Sequence, residues 1–125
     1  MIVVYGLRNC DSCRRARASL DELNIEYRFV DYRNEPLDGG TLSKWVGCLG
    51  WENILNRRSS TWRQLPGARK LGLNNTSAKA LMLEFPTLIK RPIIQTNGEL
   101  LVGFNEEQKE KLNGSRTGVD GKLAL

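Results

Sequence analysis

Residues 2–32 constrain the fold of this chain more than any other stretch. IVVYG is a short apolar run closed by a glycine, and it reads as a buried strand. Over residues 11–23, Ala16, Leu20 and Leu23 recur at helical spacing, while Arg14, Arg15 and Asp21 fall off that face. EYRFVDY, residues 26–32, starts with polar and apolar residues alternating and is rich in strand formers. Strand, helix, strand within about thirty residues is a βαβ unit, which requires two parallel strands. NCDSC sits at its first junction and places Cys10 and Cys13 where the strand gives way to the helix.

The remaining elements are shorter. Residues 34–40 (NEPLDGG) form a loop by composition. Thr41 is a plausible cap for a helix reaching about residue 49, followed by a short helix or turn over 50–55. Residues 56–62 read as polar and irregular. A further helix is expected over about 76–84, with Ala80, Leu81 and Leu83 as its apolar residues, and Pro86 ends it. A strand enters at 91–95, Asn97-Gly98 marks a hairpin, and 100–102 forms its return strand. Asn105 caps a last helix over 106–112. The Gly-rich polar stretch 113–125 reads as a flexible C-terminal tail that need not belong to the natural protein.

The chain has 125 residues, enough for one domain with its own core and no disulfide staples. Its net charge of +5 comes from basic residues that are spread out rather than gathered into an arm. That pattern argues against direct nucleic-acid binding and suits a small anionic ligand or an acidic protein partner. No segment approaches the length of a membrane span, and the first residues lack the features of a signal peptide. A cytoplasmic location is expected, where a Cys-x-x-Cys pair is more often redox-active or metal-binding than structural. Histidine is absent, which removes Cys-His catalysis and every His-containing metal site. Zinc would find two ligands in Cys10 and Cys13 and a third in Cys48, so no metal site is assigned. Cys48, following Val46-Gly47, reads as a core residue.

The nucleophilic form of cysteine is the thiolate, and an ordinary thiol is only about 3% ionised at neutral pH. A cysteine at a helix N-terminus is stabilised as the anion by the helix dipole and unpaired amides. Arg8, Arg14 and Arg15 supply positive charge nearby in sequence. Cys13, one turn on, is within reach of Cys10 to resolve a mixed disulfide. The alternative is two thiols simply buried under the helix start. Arg57-Arg58 could be a solvated pair or a guanidinium clamp for an oxyanion.

VVYGLRNCDSCRRAR, IEYRFVDYR, LGWENILNRRSSTWRQL, FPTLIKRPII and LVGFNEEQ together resemble the arsenate reductase (ArsC) superfamily, and within it the YffB-like reductases and the Spx-like regulators. The resemblance implies an α/β, thioredoxin-like fold over residues 1–112, with a helical insertion at about 36–85. It makes Cys10 the nucleophile and gives Arg91 and Arg58 the task of holding the oxyanion. Pro92 becomes a cis-proline, and Arg57 stands beside Arg58. Asn9, Arg57, Trp62 and Pro92 are the candidate substrate- or glutathione-binding residues; Trp62 lies close to the arginine pair, while Trp45, Trp51 and Trp62 otherwise read as packing of the core or the insertion. No cofactor is bound; glutathione is the implied co-substrate, with glutaredoxin or thioredoxin as electron-carrying partners. A third family arginine is missing, since Phe104 or Asn105 stands there. Cys13 is shared instead with the Spx-like regulators, which use the pair as a disulfide switch and bind the RNA polymerase alpha subunit. The block over 50–65 favours a glutathione-dependent thiol reductase; a redox-sensing regulator is the alternative, and a scaffold without redox chemistry a third.

Overall fold

The computed structural model describes residues 1–112; the tail expected over 113–125 lies outside them. The chain divides into two compact units, one formed by Met1–Asn34 with the chain from Arg91 onward, the other by Glu35–Lys90.

The first unit contains the βαβ motif. Strand β1 (Ile2–Gly6) leads into α1 (Asp11–Glu22) and then β2 (Tyr27–Asp31). Strands β3 (Ile93–Thr96) and β4 (Glu99–Val102) close a sheet of order β2-β1-β3-β4. β1 pairs in parallel with β2, with Gly6 opposite Asp31, and antiparallel with β3, with Val4 opposite Ile94. β1 is central because its residues can be covered on both sides. Ile2, Val4 and Gly6 are buried, and Val3 and Tyr5 half-buried. Ala16 and Leu20 of α1 pack with Ile2, Val4, Ile94, Leu101 and Leu112 in one core. Gly98 adopts φ +92 in the hairpin turn, a conformation that favours glycine. Asn105 caps a helical segment over 106–112 by accepting the Glu107 amide at 3.0 Å.

In the second unit, α2 (Gly39–Leu49) and α5 (Asn75–Glu84) pack together, with the short helices α3 (Trp51–Ile54) and α4 (Ser60–Gln64) between them in sequence. Three sequence expectations change here. The cap of α2 is Asp38, not Thr41: the Asp38 carboxylate accepts the Thr41 amide at 2.7 Å and its hydroxyl at 3.0 Å. Residues 56–62 are not irregular throughout, because Ser59 accepts the Trp62 amide at 3.1 Å and starts α4. α5 buries Ala78, Leu81 and Met82, which leaves Ala80 and Leu83 exposed. Its start is fixed by a reciprocal capping box between Asn74 and Ser77.

Cys48 is likewise exposed rather than in the core. α2 buries Leu42, Trp45 and Val46, and Cys48 falls outside that stripe.

Candidate functional site

The thiols are positioned by the turn between β1 and α1. Cys10 occupies the N-cap position of α1 in extended conformation, φ −103 and ψ 126, and its carbonyl accepts the Arg14 amide at 2.9 Å. Its side chain makes no capping hydrogen bond of ordinary geometry. The Cys13 amide nevertheless lies near enough to stabilise negative charge on the sulfur. Cys10 is half-buried and Cys13 fully buried, and both are free thiols.

The two sulfurs are driven apart in acidity. Burial by itself would raise the Cys10 thiol. It is outweighed by the Cys13 amide, by hydrogen bonds from the Arg91 guanidinium and the Cys13 thiol, and by the Arg91 charge, so Cys10 sits below the ordinary cysteine range. Burial pushes Cys13 up to about 12, helped by the neighbouring Cys10 charge and against a backbone hydrogen bond from Leu7. The pair is therefore a Cys10 sulfur favoured as the anion beside a Cys13 thiol that keeps its proton and donates it in a hydrogen bond to Cys10. This arrangement can attack a disulfide or an electrophilic oxyanion centre through Cys10.

Arg91 supplies the cation. Arg8, Arg14 and Arg15, the near neighbours in sequence, spend their charge elsewhere. Arg8 lies over the Phe29 ring at 5.7 Å, Arg14 meets Asp11 at 3.4 Å, and Arg15 donates to the Ser12 hydroxyl at 3.3 Å. α1 turns Arg14 and Arg15 toward solvent, whereas Arg91 enters from the chain before β3. The Arg91–Pro92 peptide is cis, as the resemblance implies, and Pro92 is buried. Asn9 is exposed beside Cys10 in the chain.

Two residues that the sequence reading did not single out hold this site in place. A Cβ on Gly6 would collide with the Cys13 sulfur, so only glycine lets the thiol lie against β1. Asp31, at the end of β2, is a buried carboxylate that accepts the Arg8 amide at 3.0 Å and the Arg33 amide at 2.8 Å. It ties the turn carrying Cys10 to the neighbouring strand. Burial by itself would raise its pKa, but these amides and the Arg33 and Arg8 charges prevail and hold it below the usual carboxylate range. Its stabilisation is thus present above the ordinary aspartate range and is lost as pH falls through the lowered folded value. Asp31→Asn leaves one amide facing an NH₂ group and should cost about 1–3 kcal/mol at pH 7. Urea unfolding checks this: the difference from the parent chain should shrink in acid, below about pH 4.

Arg57, Arg58 and Trp62 belong to the second unit. Arg57 lies 5.7 Å from the Trp51 ring centre and 5.9 Å from that of Trp62, and Lys70 stacks on Trp62 at 5.3 Å. Arg57 and Trp62 are thereby engaged with each other, while Arg58 is exposed and its amide donates to Asn56 at 3.0 Å. Where the third family arginine would fall, Phe104 packs against the core and Asn105 serves as a cap. Among the described residues no cluster of potential metal ligands occurs, and no helix is long and apolar enough to cross a membrane.

A model of the ArsC family matches residues 5–112, and the chain belongs to that family. An uncharacterized protein of Haemophilus influenzae is 44% identical over 108 residues, spanning 86% of this chain and 95% of the relative. The solved structure of the YFFB protein superposes with a TM-score of 0.85 at 38% identity, covering 89% of this chain and 97% of that one. An arsenate reductase (ArsC) related protein from Brucella melitensis gives a TM-score of 0.72 at 39% identity, covering 88% and 92%. The global transcriptional regulator Spx 2 of Bacillus anthracis is more distant, 31% identical over 89% of this chain and 86% of its own length.

Proposed function

We propose that this chain is a thiol-dependent reductase of the arsenate-reductase type, with Cys10 as its nucleophile and glutathione as its co-substrate. The observation that carries this reading is Cys10 at the N-cap of α1 with the Arg91 guanidinium and the thiol and amide of Cys13 against its sulfur, all of which favour its anion. The Cys10 thiolate attacks one sulfur of a disulfide, a Cys10–S bond forms, and the other sulfur leaves as a thiolate. Either glutathione or Cys13 then displaces the sulfur retained on Cys10. Arg91 offers hydrogen bonds to an anionic group arriving at Cys10. The similarity to an arsenate reductase related protein supports the class. The roles of Arg57 and Arg58 rest on the resemblance, and those of Asn9 and Trp62 on their places in the sequence beside Cys10 and the arginine pair. Glutaredoxin or thioredoxin is the partner class that would return electrons, in a cytoplasmic setting.

The test is a time course of the reduced protein with glutathione disulfide, quenched by alkylation and mapped peptide by peptide. Glutathione should appear on Cys10 ahead of Cys13 and Cys48. Capture on exposed Cys48 with none on Cys10 would contradict the reading.

A second reading is favoured by Cys13 together with the similarity to Spx 2. In it, a Cys10–Cys13 disulfide switches binding to the RNA polymerase alpha subunit. It requires that reduced and oxidised protein bind that subunit differently, and equal binding would count against it.

A further inference from the structure

β2 is an edge of the sheet: it pairs with β1 on one side, and no strand lies on its other side among the described residues. The Tyr32 amide donates to the Gly6 carbonyl at 3.1 Å. Backbone groups alternate in direction along a strand, so those of Val30 and Arg28 also turn toward β1, and those of Tyr27, Phe29 and Asp31 turn outward. The Asp31 carbonyl accepts the Asn34 amide at 3.0 Å, which closes the edge at that end. The amides and carbonyls of Tyr27 and Phe29 have no backbone partner among the described residues. Both rings stand on the α1 side of the sheet, half-buried against the core that holds Ala16 and Leu20. The Arg17 guanidinium lies 4.6 Å from the centre of the Phe29 ring, and that of Arg8 5.7 Å. Neither forms a salt bridge among the described residues. The Arg17 Nε is buried with no hydrogen-bond partner there, so the aromatic ring rather than a carboxylate holds this cation. Arg8, Tyr27 and Phe29 line an open cleft of about 780 Å³. Asp21 and Glu26 line it too, near Tyr27, whose hydroxyl donates to Asp21. The cleft is thus basic beside Phe29 and acidic before Tyr27.

We propose that the outer edge of β2 is a docking site for an extended, acidic segment of a partner protein. The segment adds to the sheet as a neighbouring strand, and its backbone pairs with Tyr27 and Phe29. Its carboxylates, at alternate positions and so on one face, meet Arg8 and Arg17 beside the Phe29 ring. An open edge flanked by like charges repels apolar and basic strands and admits one of opposite sign. The same charge disfavours a second copy of this chain. Two β2 edges paired about Phe29 would set Arg8 and Arg17 against their own counterparts, and like charges directly opposite each other are destabilising. The proposal does not depend on the chemistry at Cys10.

The experiment titrates isotope-labelled full-length protein with the capped hexapeptide Thr-Glu-Val-Glu-Val-Thr and follows every backbone amide by NMR. The Tyr27 and Phe29 amides should shift saturably, and their hydrogen exchange should slow as they gain partners. A peptide with lysine in place of both glutamates should bind at least about tenfold more weakly, and so should one methylated at the backbone amides that face β2. Arg8→Gln, at an exposed side chain, should weaken binding about threefold, and the double variant Arg8→Gln, Arg17→Gln roughly tenfold. Arg14→Gln removes a charge from the exposed side of α1 and should leave binding unchanged. No saturable shift at Tyr27 and Phe29 at millimolar peptide would overturn the proposal. So would equal binding of the lysine or the methylated peptide, or an equal loss with Arg14→Gln and Arg8→Gln. Shifts at the same two amides that grow with protein concentration and need no peptide would overturn it in favour of a second copy of this chain.

Discussion

Cys10→Ser should abolish turnover, by at least about a thousandfold, in any assay coupled to glutathione oxidation. Serine keeps the size and the helix-capping position of Cys10, so α1 and the sheet should be undisturbed. What it loses is acidity and sulfur. A hydroxyl does not ionise beside Arg91 at neutral pH, and oxygen cannot take part in thiol–disulfide exchange. The melting temperature of the variant should match or exceed that of the parent, because serine is a better capping residue than cysteine. Turnover retained within tenfold of the parent would show that the reaction does not pass through Cys10.

Gly6→Ala should have the largest structural effect of any single methyl group added near the site. Its Cβ would strike the Cys13 sulfur, while the Cys13 Cβ stands at an ordinary 3.6 Å. Either α1 moves away from β1 or the thiol swings out of its place. Overpacking of this kind costs about 1–3 kcal/mol. Cys10 should also become less acidic, because the Cys13 thiol and amide that stabilise its anion are displaced together. The sulfur is the obstacle, so removing it should relieve the strain. In a double-mutant cycle of denaturant unfolding, Gly6→Ala should cost little once Cys13→Ala is present. Equal costs in both backgrounds would mean that the glycine is needed for something other than the sulfur.

The strand–helix–strand unit was legible in the sequence because its three signals agree: a continuous apolar run, a helical stripe and a run of strand formers. NCDSC at the junction then placed Cys10 at the N-cap, and the Asn97-Gly98 pair placed the hairpin. The helices of the second unit were less legible. Asp38 and Ser59 fix where α2 and α4 begin by single hydrogen bonds, which composition does not reveal. α5 buries Ala78, Leu81 and Met82 rather than Ala80 and Leu83, because a short and mostly apolar stretch offers more than one face to bury. Cys48 was misjudged for a related reason, since its type favours the interior while the α2 stripe turns it outward.

At the site, sequence proximity misled about charge. Arg8, Arg14 and Arg15 surround NCDSC in the chain, yet the cation beside the sulfur is Arg91, far away in sequence and delivered by the pairing of β3 with β1. Gly6 and Asp31 carry no such signal, although each lies in a stretch with a clear strand pattern. IVVYG ends on the glycine, and the aspartate is the last residue but one of EYRFVDY. They gain meaning only when the two are seen to be paired in the sheet, with the Cys13 sulfur against Gly6 and the Arg8 amide on Asp31.

The most direct test of the account is the pH dependence of alkylation at each cysteine, followed by iodoacetamide labelling and peptide mapping. Cys10 should be the fastest of the three thiols at pH 7. Its rate should level off with an inflection below the ordinary cysteine range, about 8.5. Cys13 should remain unlabelled until the solution is strongly alkaline, in keeping with a thiol pushed up to about 12. A Cys10 inflection at or above the ordinary value, with Cys48 labelled faster than Cys10, would contradict the claim that Arg91 and Cys13 hold a reactive thiolate at the start of α1.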